Sequence, residues 1–433
     1  MKRLLSLTIL TGALLAQQAC TQEYLNPSAV SQQQAVSSVD GLLTLCNGLQ
    51  YRYTANSSVS VLYNAVAAGG LTTRELVVLN AGNVDEDNLS KGLGNVNNTN
   101  AVVRNLWQTS QLVKSNADIV LANLGVVTDA GTRSGIVGYA AIFRALALGT
   151  LAEFFEQAPL VSGTNAPFVS RAQLLTEAIT QLETAATQLA AAPVSSAFTQ
   201  KIVTGIDIPN TVQALIARYS LMAGNYDKAL AAAAKVNLSS RSYFAFDDNT
   251  RNPVFQYAFG NRNVFEPTNA ALGLPTGLTP ATGDGRVSFY IRSNPAATQN
   301  LGTGFYTANA ASIPVYLPGE MLLVQAEAYA RKNDLTNAVI FLNRVLTKTA
   351  ASDAWGVGAS LPAYSGAVTA DAVLTEIYRN RQIELAFQGF RLEDSRRFGR
   401  SGPSATGERN RNFLPYPRTE RDNNANTPAD PGN

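Results

Sequence analysis

Trp355, Tyr290 and Tyr306, with Asp284 and Arg286 nearby in the chain, combine flat apolar faces with planar polar groups. That combination suits sugar recognition. An aromatic face covers the apolar side of a pyranose, while carboxylate, amide and guanidinium groups bind its hydroxyls. Trp355 sits in the Gly-containing stretch Ala350–Thr369, where no helical pattern demands an aromatic. Two readings of it stand, a platform for ligand and a plug in the local core. Trp107 differs, because it begins a helical pattern and belongs to the core.

Catalytic chemistry is narrowed sharply by the absence of histidine. Ser-His-Asp and Cys-His nucleophilic sites, histidine general bases and His-ligated zinc are all excluded. Two carboxylates would suffice for glycoside hydrolysis, but no such pair stands out. Asp85-Glu86-Asp87-Asn88 and Asp247-Asp248-Asn249 offer oxygen ligands for calcium without the glycine and distal Glu of an EF-hand loop, and read as solvated polar turns. No Walker-type phosphate loop is present. The reading is a binding protein that needs no cofactor or metal.

The elements that must carry these residues are mostly helices. Apolar spacing predicts them over about Gln32–Leu49, Val102–Leu124, Ile136–Glu156, Arg171–Ala192, Ile208–Ala223, Tyr226–Lys235, Leu317–Ala330, Leu335–Lys348 and Ala370–Gln388. Ser170 is placed to cap the fourth of them, and Pro209 sits near a helix start. Two helical pairs share a pattern, Ala217-Arg218…Gly224-Asn225-Tyr226…Ala229 and Ala326-Glu327…Asn333-Asp334-Leu335…Ala338, at an offset of 109 residues. Small residues face a partner helix, a turn residue able to adopt positive φ follows, and an apolar residue opens the second helix. This is the logic of a tetratricopeptide unit. The long offset predicts units separated by an insertion rather than stacked; two generic hairpins are the alternative.

Three irregular stretches interrupt the helices: Gly69–Asn100, Asn237–Pro314 and Ala350–Thr369. The second is rich in aromatics, and alternation predicts short strands at Val254–Phe259 and Val287–Ile291. Loops this long inside a helical protein usually carry function. A Pro-, Arg- and Asn-rich tail, Ser401–Asn433, is expected to wrap the surface or fray.

Lys2-Arg3 followed by apolar Leu4–Ala16 reads as a signal peptide over residues 1–19. Ala19-Cys20 then suggests a lipoprotein cleavage site that leaves Cys20 lipidated, with 20–30 as a tether. Gln17 stands where such sites usually carry Leu, and simple secretion after Ala16 or Ala19 is the alternative. The formal charge of +2 includes Lys2 and Arg3, so their removal leaves 2 − 2 = 0, with no electrostatic footprint for nucleic acid. Cys46 is then left without a disulfide partner and is expected to be buried and inert. No second hydrophobic run is expected to be long enough to span a membrane.

Thr375–Gly399 is cationic yet patterned as a buried helix, apolar on two sides. Arg381 and Glu384, three residues apart, are expected to form an internal pair. The wording Arg381-Gln382-Ile383-Glu384-Leu385-Ala386-Phe387-Gln388-Gly389-Phe390-Arg391, with Asp394 and Arg396 after it, resembles the carboxyl-terminal signature of SusD/RagB lipoproteins of Bacteroidetes outer membranes. Gln388 replaces the usual Glu, and Leu392 the usual aromatic. Val315–Arg331, Ala338–Val345, Trp107–Asn123, Phe143–Pro159, Asn412–Glu420 and Cys20–Pro27 are similar to other family segments in the expected order.

The resemblance implies one SusD-like domain over 31–433, mostly α. A tetratricopeptide platform at about 31–236 and 315–395 would carry irregular, aromatic-rich insertions and a few short strands. It further implies a lipid-anchored, surface-exposed outer-membrane protein that captures oligosaccharide or another nutrient for a SusC-like TonB-dependent β-barrel. Arg74, Glu75 and Asn98 join the ligand candidates because the amino-terminal irregular region can contribute contacts in the family. A secreted carboxylate-dependent glycoside hydrolase and a tetratricopeptide scaffold without small ligand are the rival functions.

Overall fold

The computed structural model describes residues 31–55, 57–260, 263–293 and 300–432; the signal peptide, Cys20 and its tether lie outside the described residues. In chain order the elements are α1 (Val39–Thr54), α2 (Val61–Thr72), β1 (Leu76–Val78), α3 (Val84–Lys91), α4 (Ala101–Ala122), α5 (Ala130–Phe154), β2 (Gln157–Pro159), β3 (Phe168–Ser170), α6 (Arg171–Ala191), α7 (Ile208–Met222) and α8 (Tyr226–Ala233). They continue with β4 (Tyr243–Phe244), β5 (Phe265–Pro267), α9 (Gly285–Tyr290), β6 (Ile291–Ser293), β7 (Asn300–Gly302), β8 (Ile313–Pro314), α10 (Pro318–Arg331), α11 (Leu335–Leu346), α12 (Ala370–Glu384), α13 (Arg391–Arg397) and α14 (Arg418–Asn423). The strands pair antiparallel in twos, β1 with β5, β2 with β3, β4 with β8 and β6 with β7. The fold is SusD-like and mostly helical.

Local chemistry explains where the helices begin and end. Ser170 caps α6 in a reciprocal capping box, and Asp207 accepts from the Asn210 N–H with Pro209 in the first turn of α7. In both tetratricopeptide-like units the expected positive-φ residue closes the first helix, Gly224 at φ 75° and Asn333 at φ 62°. The units are not kept apart, however. Helix α8 packs on α10, and Arg218 of α7 forks onto Glu320 of α10 at 2.6 and 2.7 Å, both buried. The insertion loops out and leaves the helical stack continuous, because the second pair can bury its small-residue face only against the first.

Helix α5 lies at the centre, packed on α4, α6 and α7. It is long and apolar enough to cross a membrane, contrary to the expectation of no such second run, but that apolar window is entirely buried inside the protein. A helix apolar all round needs neighbours on every side, and here they are other helices. Cys46 packs in the same core, and burial pushes its thiol up to about 12, so it stays protonated and inert.

The end of α2, strand β1 and helix α3 occupy the stretch expected to be irregular from residue 69. Helix α2 continues through Gly69-Gly70 because glycine is needed there for packing: a Cβ on Gly69 would stand 2.2 Å from the Gly389 carbonyl oxygen. Asp85–Asn88 are not a loop but part of α3, where carboxylates favour the positive helix start and Asp87 pairs with Lys91 at 2.5 Å. Val254–Phe259 and Val287–Tyr290, expected as strand, form helical turns, and only Ile291 enters a strand, as the first residue of β6. Asn252 Oδ1 accepts from the Phe255 N–H and Asp284 Oδ1 from the Arg286 N–H. These local caps start helical turns instead.

The Thr375–Gly399 segment is not one helix. Helix α12 stops at Glu384, a turn with Phe387 at φ 60° and Gly389 at φ 91° reverses the chain, and α13 begins at Arg391. Arg381 and Glu384 do not pair. Side chains three residues apart point about 60° apart on a helix, and the turn brings better partners to each. Arg381 forks onto Asp394 at 3.0 and 3.0 Å, while Asp394 also binds Arg397 at 2.7 Å, and Arg397 forks onto Glu327 at 2.8 and 2.9 Å. Glu384 instead binds Lys348 at 2.6 Å and Arg286 at 3.2 Å. Burial alone would raise the Asp394 carboxyl, but Arg381 and Arg397 outweigh it and hold it below its ordinary value. Glu153 is the opposite case. Burial, reinforced by Glu393, pushes its carboxyl well up, and Glu153 Oε1 has no hydrogen-bond partner among the described residues.

Replacing one partner of a buried pair strands the other charge. Asp394→Asn is expected to cost about 3–5 kcal/mol in urea unfolding at pH 7. A depressed carboxyl stabilises above its unfolded pKa of about 3.9 and loses that contribution as pH falls through the folded value, so the gap between variant and parent should close in acid. For Glu153 the sign reverses. Its raised carboxyl stabilises most below the unfolded value of about 4.3, and that is lost as pH rises through the folded pKa. Glu153→Gln should therefore raise the melting temperature by a few degrees at pH 7–8, with the gain shrinking toward pH 4.

Candidate functional site

Helix α12 ends with carbonyls that no further helical N–H can satisfy, and the aromatic insertion supplies the donors. Tyr290 donates its hydroxyl to the Glu384 carbonyl at 2.6 Å, and Tyr306 donates to the Phe387 carbonyl at 2.7 Å. Arg286 is fully enclosed, forked onto Asp284 at 2.9 and 2.7 Å and bonded to Asn380 at 2.8 Å. Tyr290, Asp284 and Arg286 are therefore internal fastenings, and so is the Tyr306 hydroxyl, although the Tyr306 ring also lines the cleft of the insertion. Their polar groups already hold fixed partners out of solvent.

The remaining candidates divide. Glu75 is buried, accepting from the Phe387 N–H at 3.0 Å and lying 3.4 Å from Arg391, so it too faces inward. Arg74 is half-buried and donates to the carbonyls of Gly407, Ala405 and Ser404 in the tail. Asn98 is half-buried, and its carbonyl accepts from the Arg418 N–H at 2.8 Å. Trp355 is half-buried, with the Arg241 guanidinium 4.0 Å over its ring and edge contacts to Phe305 and Tyr243. That packing fits a plug and leaves at most one ring face for a ligand. Trp107 is core, its indole N–H donating to Glu420 at 3.0 Å.

What the insertion does present is a cleft of about 270 Å³ lined by Phe255, Phe259, Tyr306, Arg292, Thr303 and Thr307. Its floor rests on a π-helix, Phe255–Phe259, closed by the Gly260 N–H donating to the Phe255 carbonyl at 2.7 Å. Bonding five residues apart widens the turn, so Phe255 and Phe259 fall nearly in line. Tyr257 turns away to Ser57 and Tyr63. A π-turn is rare as regular structure and is frequently found at functional sites. Phe259 is fixed by edge contacts to Phe265, Tyr306 and Phe387 at 6.1, 5.4 and 5.5 Å, while Phe255 stays half-buried and Arg292 and Thr307 exposed. An apolar floor with a guanidinium and hydroxyls at its rim can hold a polyol ring. Sequence reasoning grouped Phe255 and Phe259 with the insertion's aromatics but read them as strand. Asn252-Pro253 and Gly260 on either side were the turn signal. Among the described residues no group of three or more Cys, Asp or Glu side chains is placed to hold a metal ion.

The sequence model of the SusD family matches residues 238–433. No curated protein matches the chain significantly. Among solved structures, a SusD superfamily protein from Bacteroides fragilis superposes with a TM-score of 0.68 at 17% identity, over 90% of this chain and 99% of that one. Bacteroides fragilis NanU gives 0.70 at 13% identity, over 94% and 99%. A SusD-like carbohydrate binding protein from Bacteroides vulgatus gives 0.65 at 18% identity, over 83% of each chain.

Gly260 tests the π-turn. A Cβ there would meet the Phe255 ring and carbonyl at 2.7 Å, and the carbonyl cannot move without breaking the turn. Gly260→Ala is expected to destabilise by about 1–3 kcal/mol in chemical denaturation, as overpacking does.

Proposed function

We propose, on the premise that this chain belongs to the SusD family, that it is a nutrient-binding surface lipoprotein. It takes up oligosaccharide in the cleft over Phe255 and Phe259 and delivers it to a SusC-like TonB-dependent β-barrel. The observation that carries the ligand class is the aromatic floor on a π-turn with Arg292, Thr303 and Thr307 around it. Phe255 supplies a face for the apolar side of a sugar ring, and the rim groups supply donors and acceptors for its hydroxyls. One of the solved structures it resembles bears the name of a carbohydrate-binding protein, which supports the same class. No catalytic role is assigned, since the cleft lining contains no carboxylate to protonate a leaving group or activate water.

Anchoring follows from Cys20 as the lipidated first residue of the mature protein, with residues 20–30 as tether. The helical stack then offers a broad rigid surface to the barrel, while the insertion faces outward with its cleft. A scaffold with no small ligand is the reading to beat.

Calorimetry against a panel of neutral plant and microbial oligosaccharides is expected to find a binder whose Kd rises about tenfold in Phe255→Ala, roughly 1.4 kcal/mol. No binder in the panel, with a barrel still copurifying, would favour the scaffold. Sustained turnover of any panel member would favour a hydrolase. Cys20→Ala is expected to move the protein from the membrane to the soluble fraction. A variant that stays membrane-bound would count against the lipid anchor.

A further inference from the structure

One wall of the aromatic cleft is the β6–β7 pair, which contributes Arg292 and Gly302 to its lining. A Cβ on Gly302 would stand 2.2 Å from the Phe259 ring, so a side chain there would force the strand off the floor. Arg292 pairs with Leu301, the residue before Gly302, and so sits at the rim beside the rings. Its side chain is exposed, and among the described residues no carboxylate pairs with it. Residues 261–262 and 294–299, which flank the lining in the chain, contain no Asp or Glu. Glu266 is buried, accepts from the Gly302 N–H at 3.2 Å and lines no part of the cleft.

The other polar side chains of the lining are partly spent. Tyr306 gives its hydroxyl proton to the Phe387 carbonyl at 2.7 Å, and Thr303 gives its own to the Phe289 carbonyl at 2.6 Å. What remains for a ligand is the Arg292 guanidinium, which only donates, the exposed Thr307 hydroxyl, and the Thr303 oxygen as an acceptor. A neutral sugar hydroxyl both donates and accepts, so side chains rich in donors and poor in acceptors leave part of it unmatched. A carboxylate or sulfate only accepts. A guanidinium meets it with two parallel hydrogen bonds as well as opposite charge.

Resting on the sugar-binding reading of this cleft, we propose that it prefers acidic sugars and that Arg292 sets the preference. An anionic group on the sugar docks on the Arg292 guanidinium while the apolar side of the ring lies on Phe255. Thr307 takes a neighbouring hydroxyl at the same rim. The shared chemistry is an anionic oxygen group carried by a sugar ring, and two sources supply it, a uronate carboxylate and a sulfate ester.

The test is calorimetry on the full protein with matched pairs of probes. Galacturonate and glucuronate oligomers are compared with their methyl esters, which keep the ring and lose the charge, and sulfated with unsulfated galactose oligomers. In at least one pair the anion is expected to bind about three- to fivefold more tightly, the upper range for an exposed ion pair, with the gap narrowing as salt screens it. A gap in the sulfate pair alone assigns the anion to sulfate, and a gap in the uronate pairs assigns it to carboxylate. Arg292→Gln should close most of the gap, and Arg292→Lys, which keeps the charge but not the fork, only part of it. Arg292 is exposed, so both variants should fold, with the melting temperature as the check. Equal binding within every pair, or a gap that survives Arg292→Gln, would overturn the proposal while leaving intact a neutral-sugar site that responds to Phe255→Ala. Failure of every acidic and neutral sugar to bind would overturn the cleft reading and this proposal together.

Discussion

The reversal of the chain between Glu384 and Arg391 is the constraint on which the rest of the structure depends. It holds because Gly389 adopts φ 91° with its backbone against α2, where Gly69 leaves room for it. By turning back, the chain places Asp394 against Arg381 and exposes the last carbonyls of α12 to the insertion. One backbone reversal thus supplies a salt-bridge lock for the helices and a docking point for the loops.

The charges locked here are buried, which makes them a liability unless every one is paired. Arg381, Asp394, Arg397 and Glu327 form one chain of forked contacts, and Lys348, Glu384, Arg286 and Asp284 form another. Asp394, Glu327 and Glu384 are each shared between at least two cations, so the loss of one of them leaves more than one group unpaired in the low-dielectric interior. The result is specificity of arrangement: α10, α12, α13 and the insertion fit together in one way. Among the described residues Glu153 Oε1 and two Arg391 nitrogens lack hydrogen-bond partners, as does one Nη1 on each of Arg381 and Arg397.

The loops are rigid where their polar groups are consumed and receptive where they are not. Tyr290, Tyr306, Arg286 and Glu75 spend their hydrogen-bonding capacity on the α12 turn. Those polar groups are therefore held by internal partners, while the Tyr306 ring lines the aromatic cleft. Their fixed positions hold the π-turn and its Phe255–Phe259 floor in place, and leave the Arg292 rim free.

Sequence alone determined most of the longer helices, because apolar spacing and capping residues such as Ser170 and Asp207 are local signals that survive in the fold. It also marked the signature segment, the two tetratricopeptide-like turns at Gly224 and Asn333, and the insertion as the place to look for a ligand. What it could not fix was partnership. Arg381 looked paired with Glu384 because they are neighbours in the chain, but each bonds across the turn to a residue that only the reversal brings near. Likewise Tyr290 and Phe255 are both aromatics of one loop, and nothing in their local wording says which faces a helix end and which faces a cleft. Such choices rest on contacts between residues distant in sequence, where desolvation and hydrogen-bond satisfaction decide, and those exist only once the chain has folded.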